Sequence, residues 1–243
     1  MLTQDDLIRY DRQIMMPEFG REGQKRLKKA KIFIAGAGGL GSSISIYLAV
    51  AGVGAMRIVD HDNIELSNLN RQILHWNGDV GKEKVYSAKQ KLQEINRSID
   101  IETINRSITD DNVLELTEGC DAIVDAMDNF DTRYILNRAA IKRRVPLFHG
   151  AVNGLEGRAM TIIPGETACI RCMYHGPIES VKFPVLGVTP GLIGIIQATE
   201  AIKYIVGMGE LLKNRLLIYD GMDLTFKEFK IKRNPECEDC GHL

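Results

Sequence analysis

The chain reads as an α/β protein: a mainly parallel sheet covered by helices on both faces, extended by antiparallel strands and held by a structural metal site. Three observations carry that reading. Short apolar runs of strand length alternate with helical stretches up to residue 150, the pattern of parallel strands joined by crossover helices. The first of those runs feeds directly into a glycine-rich turn, Gly36-Ala-Gly-Gly-Leu-Gly41. Two Cys-x-x-Cys pairs, Cys169/Cys172 and Cys237/Cys240, stand far apart in the chain.

Residues 3–29 have a helical pattern interrupted at Gly20 and Gly23. Lys31-Ile-Phe-Ile-Ala35 is a buried strand, followed by the glycine turn, a helix to about Gly52 and a second strand ending at Asp60. Strand, glycine turn, helix and strand form a Rossmann-like unit. Residues 82–96 carry Val85, Ala88, Leu92 and Ile95 at helical spacing, and an Ile-rich strand follows at 99–104. A strand at Ala122–Asp125, a helix at 132–143 and a strand at 146–150 complete the parallel half. Beyond it, 157–163 reads as a strand and 191–206 as a strongly apolar helix. The runs 215–219 and 225–231 are strands placed to pair antiparallel around Asp220-Gly221. No repeat, low-complexity segment or linker interrupts the chain, which implies a single domain over 1–243.

Two residues between cysteines let both thiolates reach one ion from one turn, and two such turns complete a tetrahedral sulfur site. Four ligands leave no position for substrate, so Cys169, Cys172, Cys237 and Cys240 read as structural zinc ligands. Two disulfides or four unrelated thiols are the competing readings; the second pair, in the last turn of the chain, favours zinc. The fifth cysteine, Cys120, precedes the apolar run Ala122-Ile-Val124 and reads as buried and inert. The net charge of −1 implies no general attraction to nucleic acid or membrane. The charged N-terminus lacks a signal-peptide core, and no apolar run reaches the length of a membrane span. The cytoplasm is the expected compartment.

Gly36-x-Gly38-x-x-Gly41 fits the dinucleotide fingerprint, with Asp60 at the spacing of a ribose-binding carboxylate. Alone, that pattern suggests an NAD-dependent dehydrogenase. The segment beyond it adds Asn68, Asn70, Arg71 and Lys84 near the same strand end, more cationic and donor capacity than a pyrophosphate bridge needs. These residues suit a triphosphate whose pyrophosphate must leave. Gly81-Lys-Glu-Lys84 lacks the spacing of a Walker loop. Asp128, at the C-terminal end of a buried strand, is placed to hold Mg²⁺ against the phosphates, with Asp131 as the cap of the following helix.

Taken together, these motifs resemble the MoeB/ThiF family, the ubiquitin-activating-enzyme-like adenylyltransferases of sulfur-carrier proteins. The resemblance runs through Arg9-Tyr-x-Arg12-Gln13, Gly20-x-x-Gly23-Gln24, the glycine turn, Ser67-Asn-Leu-x-Arg-Gln72, Leu74-His75, Asp128-Asn-Phe130, Gln197-Ala-x-Glu-Ala-Ile-Lys203 and both cysteine pairs. It implies ATP contacts at Gly39, Asp60, Ser67, Asn68, Asn70, Arg71, Lys84, Asp128 and Asn129, with Asp60 on the ribose and Asp128 on Mg²⁺. It also implies a homodimer in which Arg12 reaches the neighbouring subunit's phosphates. The implied reaction is attack by the C-terminal Gly-Gly carboxylate of a ubiquitin-like sulfur carrier on the α-phosphate of ATP, as in molybdopterin or thiamin biosynthesis. Some members carry a cysteine in the loop before the apolar helix. Here that loop reads Glu179-Ser-Val-Lys-Phe183-Pro-Val-Leu-Gly187, with Phe183 in its place, so a covalent acyl-enzyme route is not expected. Competing readings are a related enzyme that adenylates another acid or a modified tRNA base, and a nucleotide-sensing scaffold.

Overall fold

The computed structural model describes residues 1–174 and 183–243. Among them one sheet of eight strands runs through the molecule in the order β3-β2-β1-β4-β5-β6-β7-β8. Its first half is parallel: β1 (Lys31–Ala35) lies between β2 (Ala55–Val59) and β4 (Ala122–Asp125), with β3 (Asp100–Ile104) outside β2 and β5 (Leu147–Asn153) outside β4. The second half is antiparallel, from β5 to β6 (Glu156–Ile162), β7 (Arg215–Asp220) and β8 (Thr225–Lys230), the last two forming the expected hairpin. The fold class read from the sequence is the one observed.

The central strands β1 and β4 are buried on both faces, while β8 at the edge is exposed along its whole length. Against one face pack α3 (Gly20–Lys29), α4 (Gly39–Ala51), α5 (Lys84–Ile95) and α9 (Val188–Val206), around fully buried Ile32, Ile34, Ile44, Leu48 and Ile193. Against the other pack α6 (Val113–Leu116), α7 (Phe130–Arg143) and α8 (Ile170–Met173), with Phe33, Leu136 and the cysteine cluster. Each such Ile or Leu removed from water stabilises the fold by about 1.5–3 kcal/mol. No helix is long and apolar enough to cross a membrane among the described residues.

Several element boundaries shift, α9 starting at Val188 and not at 191, and three of the differences have physical reasons that bear on packing. The N-terminal stretch is not one helix but α1 (Gln4–Arg9), α2 (Asp11–Ile14) and α3, and Gly23 lies inside α3. A Cβ there would stand 2.8 Å from Val206 of α9, so this glycine serves close helix packing, not a break. The strand at 146–150 extends to Asn153 because its outer end pairs antiparallel with β6. Helix α7 begins at Phe130, two residues early, capped by Asn129, whose Oδ1 accepts from the Thr132 N–H at 2.9 Å. Asp131, assigned that role from the sequence, is inside the helix. Phe130 enters the helix because its ring packs against Tyr174 at 4.9 Å and Tyr134 at 5.9 Å.

Candidate active site

In the parallel order 3-2-1-4-5 the strands are added outward in opposite directions from β1 and β4, and at that switch point a crevice opens beyond the strand ends. It is a cleft of about 770 Å³. Its floor is the glycine turn. Gly36 has φ +102, and a Cβ on it would meet the Ala126 carbonyl at 2.8 Å. Gly41 lets α4 approach so closely that a Cβ would lie 2.1 Å from the Gly36 oxygen. The first N–H groups of α4 have no intrahelical acceptor, and with the helix dipole they favour an anion.

Gly39, Asp60, Ser67, Asn70, Arg71, Lys84, Asp128 and Asn129 all line this cleft. The remaining two sequence-assigned residues do not. Asn68 is buried, and its Oδ1 accepts from the Glu65 N–H at 3.0 Å, so it caps a turn instead of facing a ligand as a donor. Arg12, on α2, is exposed and lies outside the cleft of its own chain.

The cleft residues hold one another. Asp60 accepts from the Ala37 N–H at 2.8 Å and the Asp62 N–H at 2.9 Å, tying β2's end to the glycine turn. Lys84, whose side chain is 7% exposed, pairs with Asp62 at 2.7 Å. Asp62 was not anticipated from the sequence, and it balances a cation that looked surplus there. Arg71 donates to the Ser67 carbonyl and to Asn70 Oδ1, both at 3.0 Å, and meets no carboxylate among the described residues. It is the guanidinium with charge to spare for a phosphate.

Asp128 is not at a strand end. β4 closes at Asp125, and Asp128 projects from the loop beyond it. Asp125 is fully buried and accepts from His149 Nδ1 at 2.7 Å and from the Met127 N–H at 3.0 Å, with Arg133 at 3.4 Å. Arg133 also donates to the Met127 carbonyl at 2.7 Å and reaches the cleft. Asp125, Arg133 and His149 thus brace the loop that presents Asp128. Burial holds the His149 imidazole below its usual range despite Asp125, so the ring is neutral. The sequence signal for this support was the spacing of Asp125, Asp128 and Arg133; that for His149 was absent, since strand pairing alone sets it beside Asp125.

Beside α7 the four cysteines converge, all buried, their sulfur atoms within 4.8 Å of one another. The separations Cys169–Cys172, Cys169–Cys237 and Cys172–Cys240 are 3.9, 3.6 and 3.5 Å. Zinc bound tetrahedrally at about 2.3 Å from each sulfur sets them about 3.8 Å apart, whereas a disulfide needs about 2 Å. Burial pushes the Cys169 thiol up and Cys240 to about 11, so a cation is what would hold the cluster as thiolates. Asn137 links the cluster to α7, accepting from the Ile170 N–H at 3.1 Å and donating to Asp239 at 2.7 Å. Cys120 is buried, its thiol pushed up by desolvation, as the sequence indicated. The segment Glu179 to Lys182 of the cysteine-free loop lies outside the described residues.

A glycine turn at the switch point of a doubly wound sheet, ringed by cations and a carboxylate, defines a nucleotide-binding α/β protein. The chain belongs to the ThiF family, whose model matches residues 10–239. It is 43% identical over 246 residues to the SAMP-activating enzyme E1 of Haloferax volcanii, covering 99% of this chain and 91% of that protein. It is 39% identical over 250 residues to the sulfur carrier protein adenylyltransferase of Thermus thermophilus, covering 98% and 92%. The structure of E. coli MccB with ATP superposes at a TM-score of 0.83 with 27% identity, over 90% of this chain and 68% of that one.

Proposed function

We propose that this protein is an ATP-dependent adenylyltransferase that activates the C-terminal Gly-Gly carboxylate of a ubiquitin-like sulfur carrier as an acyl-adenylate. The observation that carries the reading is the convergence of the glycine turn, Asp60, Arg71, Lys84 and Asp128 on one cleft. Kinship with a sulfur carrier protein adenylyltransferase supports the substrate class, and a neighbour solved with ATP supports the nucleotide.

In this reading Asp60 takes the ribose hydroxyls, α4's free N–H groups and Gly39 take phosphate oxygens, and Ser67, Asn70 and Asn129 line the nucleotide. Arg71 and Lys84 neutralise the charge that moves onto the departing pyrophosphate. Lys84 must then share its ammonium between Asp62 and phosphate. Asp128, with phosphate oxygens as the other ligands, would hold Mg²⁺, which supplies further charge neutralisation. The attacking carboxylate needs no general base, so catalysis is mostly positioning. A groove of about 560 Å³, lined by Gly154, Leu186 and Met222, adjoins the cleft at Val185 and is the assigned path of the diglycine tail.

The four-cysteine cluster would hold structural zinc. None of the five cysteines is disposed as an acyl acceptor, because four are in the cluster and Cys120 is buried. We assign Arg12 to the neighbouring subunit's phosphates in a homodimer. In support, an exposed apolar groove between α4 and α9, lined by Tyr47, Val50, Ile195 and Ile202, has Gln13 of α2 at its edge. A dimer closed on that face would carry Arg12 along the seam. The cytoplasm is the assigned compartment.

The test is ATP–pyrophosphate exchange with and without each candidate Gly-Gly carrier from the same genome. Carrier-dependent exchange supports the assignment. Exchange driven by a small carboxylic acid and indifferent to every carrier would sink it.

A further inference from the structure

His75 is buried immediately behind the glycine turn, 4% exposed, and touches no part of the cleft surface. Its Nε2 lies 2.9 Å from the Ala37 carbonyl and its Nδ1 lies 3.0 Å from Ser87 Oγ. A carbonyl oxygen only accepts, so Nε2 carries the proton. In the neutral ring Nδ1 must then accept, and the Ser87 hydroxyl is the group within reach of it. The same hydroxyl has a second acceptor in Asp79 Oδ2 at 3.2 Å, and its oxygen accepts at 2.8 Å from Lys91, which also pairs with Asp79. Asp79 is occupied by Lys91, by the Trp76 N–H at 3.0 Å and by Lys82 at 3.2 Å, and these partners hold its carboxyl below the usual range against the opposing effect of burial. Burial, with Lys84 and Lys91 nearby, keeps the His75 imidazole below its own usual range and so neutral.

Both polar atoms of Ala37 therefore have partners on opposite sides, Asp60 on its N–H and His75 on its oxygen. On α5, Lys84, Ser87 and Lys91 fall three and four residues apart on one face, the first pointing to the cleft and the other two to His75. One helix thus fixes a cleft cation and the ring behind the turn together.

We propose that His75 is a positioning residue for nucleotide binding: held between Ser87 on Nδ1 and the Ala37 carbonyl on Nε2–H, it clamps that carbonyl so that the glycine turn and the N-terminus of α4 hold their anion-binding geometry. The proposal deepens the adenylyltransferase reading and rests on it for the identity of the nucleotide. A merely packed histidine would share the burial but not the polar partners on both ring nitrogens.

The experiment compares His75→Leu, His75→Gln and Ser87→Ala by direct ATP titration and by the KM and kcat of pyrophosphate exchange. Glutamine can place an N–H near the position of Nε2; leucine keeps apolar volume and has no donor. His75→Leu should weaken ATP binding roughly tenfold, seen in KM more than kcat, from loss of a buried hydrogen bond. His75→Gln should recover most of that loss, and Ser87→Ala should fall between. A packing role predicts the reverse ranking, with leucine tolerated and glutamine costly. Nitrogen-resolved NMR of the wild type should show a neutral Nε2–H ring, a readout that stands if the leucine variant fails to fold. The Nδ1–H tautomer, or equal ATP affinity in all three variants, overturns the proposal. A wild type that binds ATP without exchanging pyrophosphate counts against the function alone and leaves the affinity ranking to decide on His75. A wild type that binds no ATP overturns both.

Discussion

The cysteine cluster and the nucleotide cleft are both reached from α7, through Asn137 and Arg133, and are built on different principles. The cluster is closed: four sulfur atoms, all buried, face one another and would give a metal ion all four of its ligands. The cleft is open, and its charges are partly spent on one another, Lys84 on Asp62 and Asp60 on the glycine turn. A site that only has to hold its ligand can be sealed and can stabilise the fold outright. A site that must exchange ligands needs surface, and keeps its geometry through side chains braced from behind. Damage to the first should therefore appear as lost stability, and damage to the second as lost activity.

The largest expected effect is on activity. Asp128→Ala should lower carrier-dependent pyrophosphate exchange by at least ~100-fold, the scale for removing a group that stabilises transition-state charge. Its melting temperature should stay within about 2 °C of wild type, because Asp128 is a loop residue outside the Asp125–Arg133–His149 brace. A large melting shift in this variant would erase the distinction between the two regions.

Next in size is the converse. Cys237→Ser should lower the melting temperature by roughly 5–10 °C, as the loss of a ligand worth a few kcal/mol implies for a chain of this length. The ATP affinity of the protein still folded should change by less than about twofold. Metal analysis of the wild type should find about one zinc per chain. Absence of metal, with four thiols titrating freely in the native protein, would remove the closed site from the comparison.

A mixed dimer sharpens the open side of the comparison. Arg12→Ala and Asp128→Ala should each be inactive alone, and heterodimers of the two should regain roughly half the wild-type rate, since one composite site then has both groups. Verified heterodimers with no recovery would show that Arg12 does not act in trans.

The smallest effect is a pH slope. His75 and His149 are both held below the usual imidazole range by burial. The unfolded chain takes up protons near pH 6.5 where the folded chain does not. The stability these rings contribute is therefore complete above about pH 6.5 and is lost as the pH falls below it, at up to about 1.4 kcal/mol per pH unit for each. His149→Gln should flatten the acid limb of a urea-unfolding series by about one proton. An unchanged slope would mean that the His149 ring is already protonated in the folded state.

Much of the fold and part of the site were legible in the chain because they depend on local rules. Alternating strand and helix periods, the backbone freedom demanded by Gly36 and the reach of Cys-x-x-Cys are all set within a few residues. Eight of the ten sequence-assigned nucleotide and catalytic residues do line one cleft, because the segments that follow β1, β2 and β4 leave the sheet at the same end of its parallel half. What the sequence could not decide was how each polar group is used. Asn68 turns inward to cap Glu65, Asn129 displaces Asp131 as the cap of α7, and Arg12 stands away from its own cleft. Lys84 finds Asp62 across 22 residues, and Asp125 finds His149 across 24. Such choices depend on burial and on partners distant in sequence. A polar side chain forced out of water takes whatever partner the packed chain puts within reach, and only the tertiary structure determines which one that is.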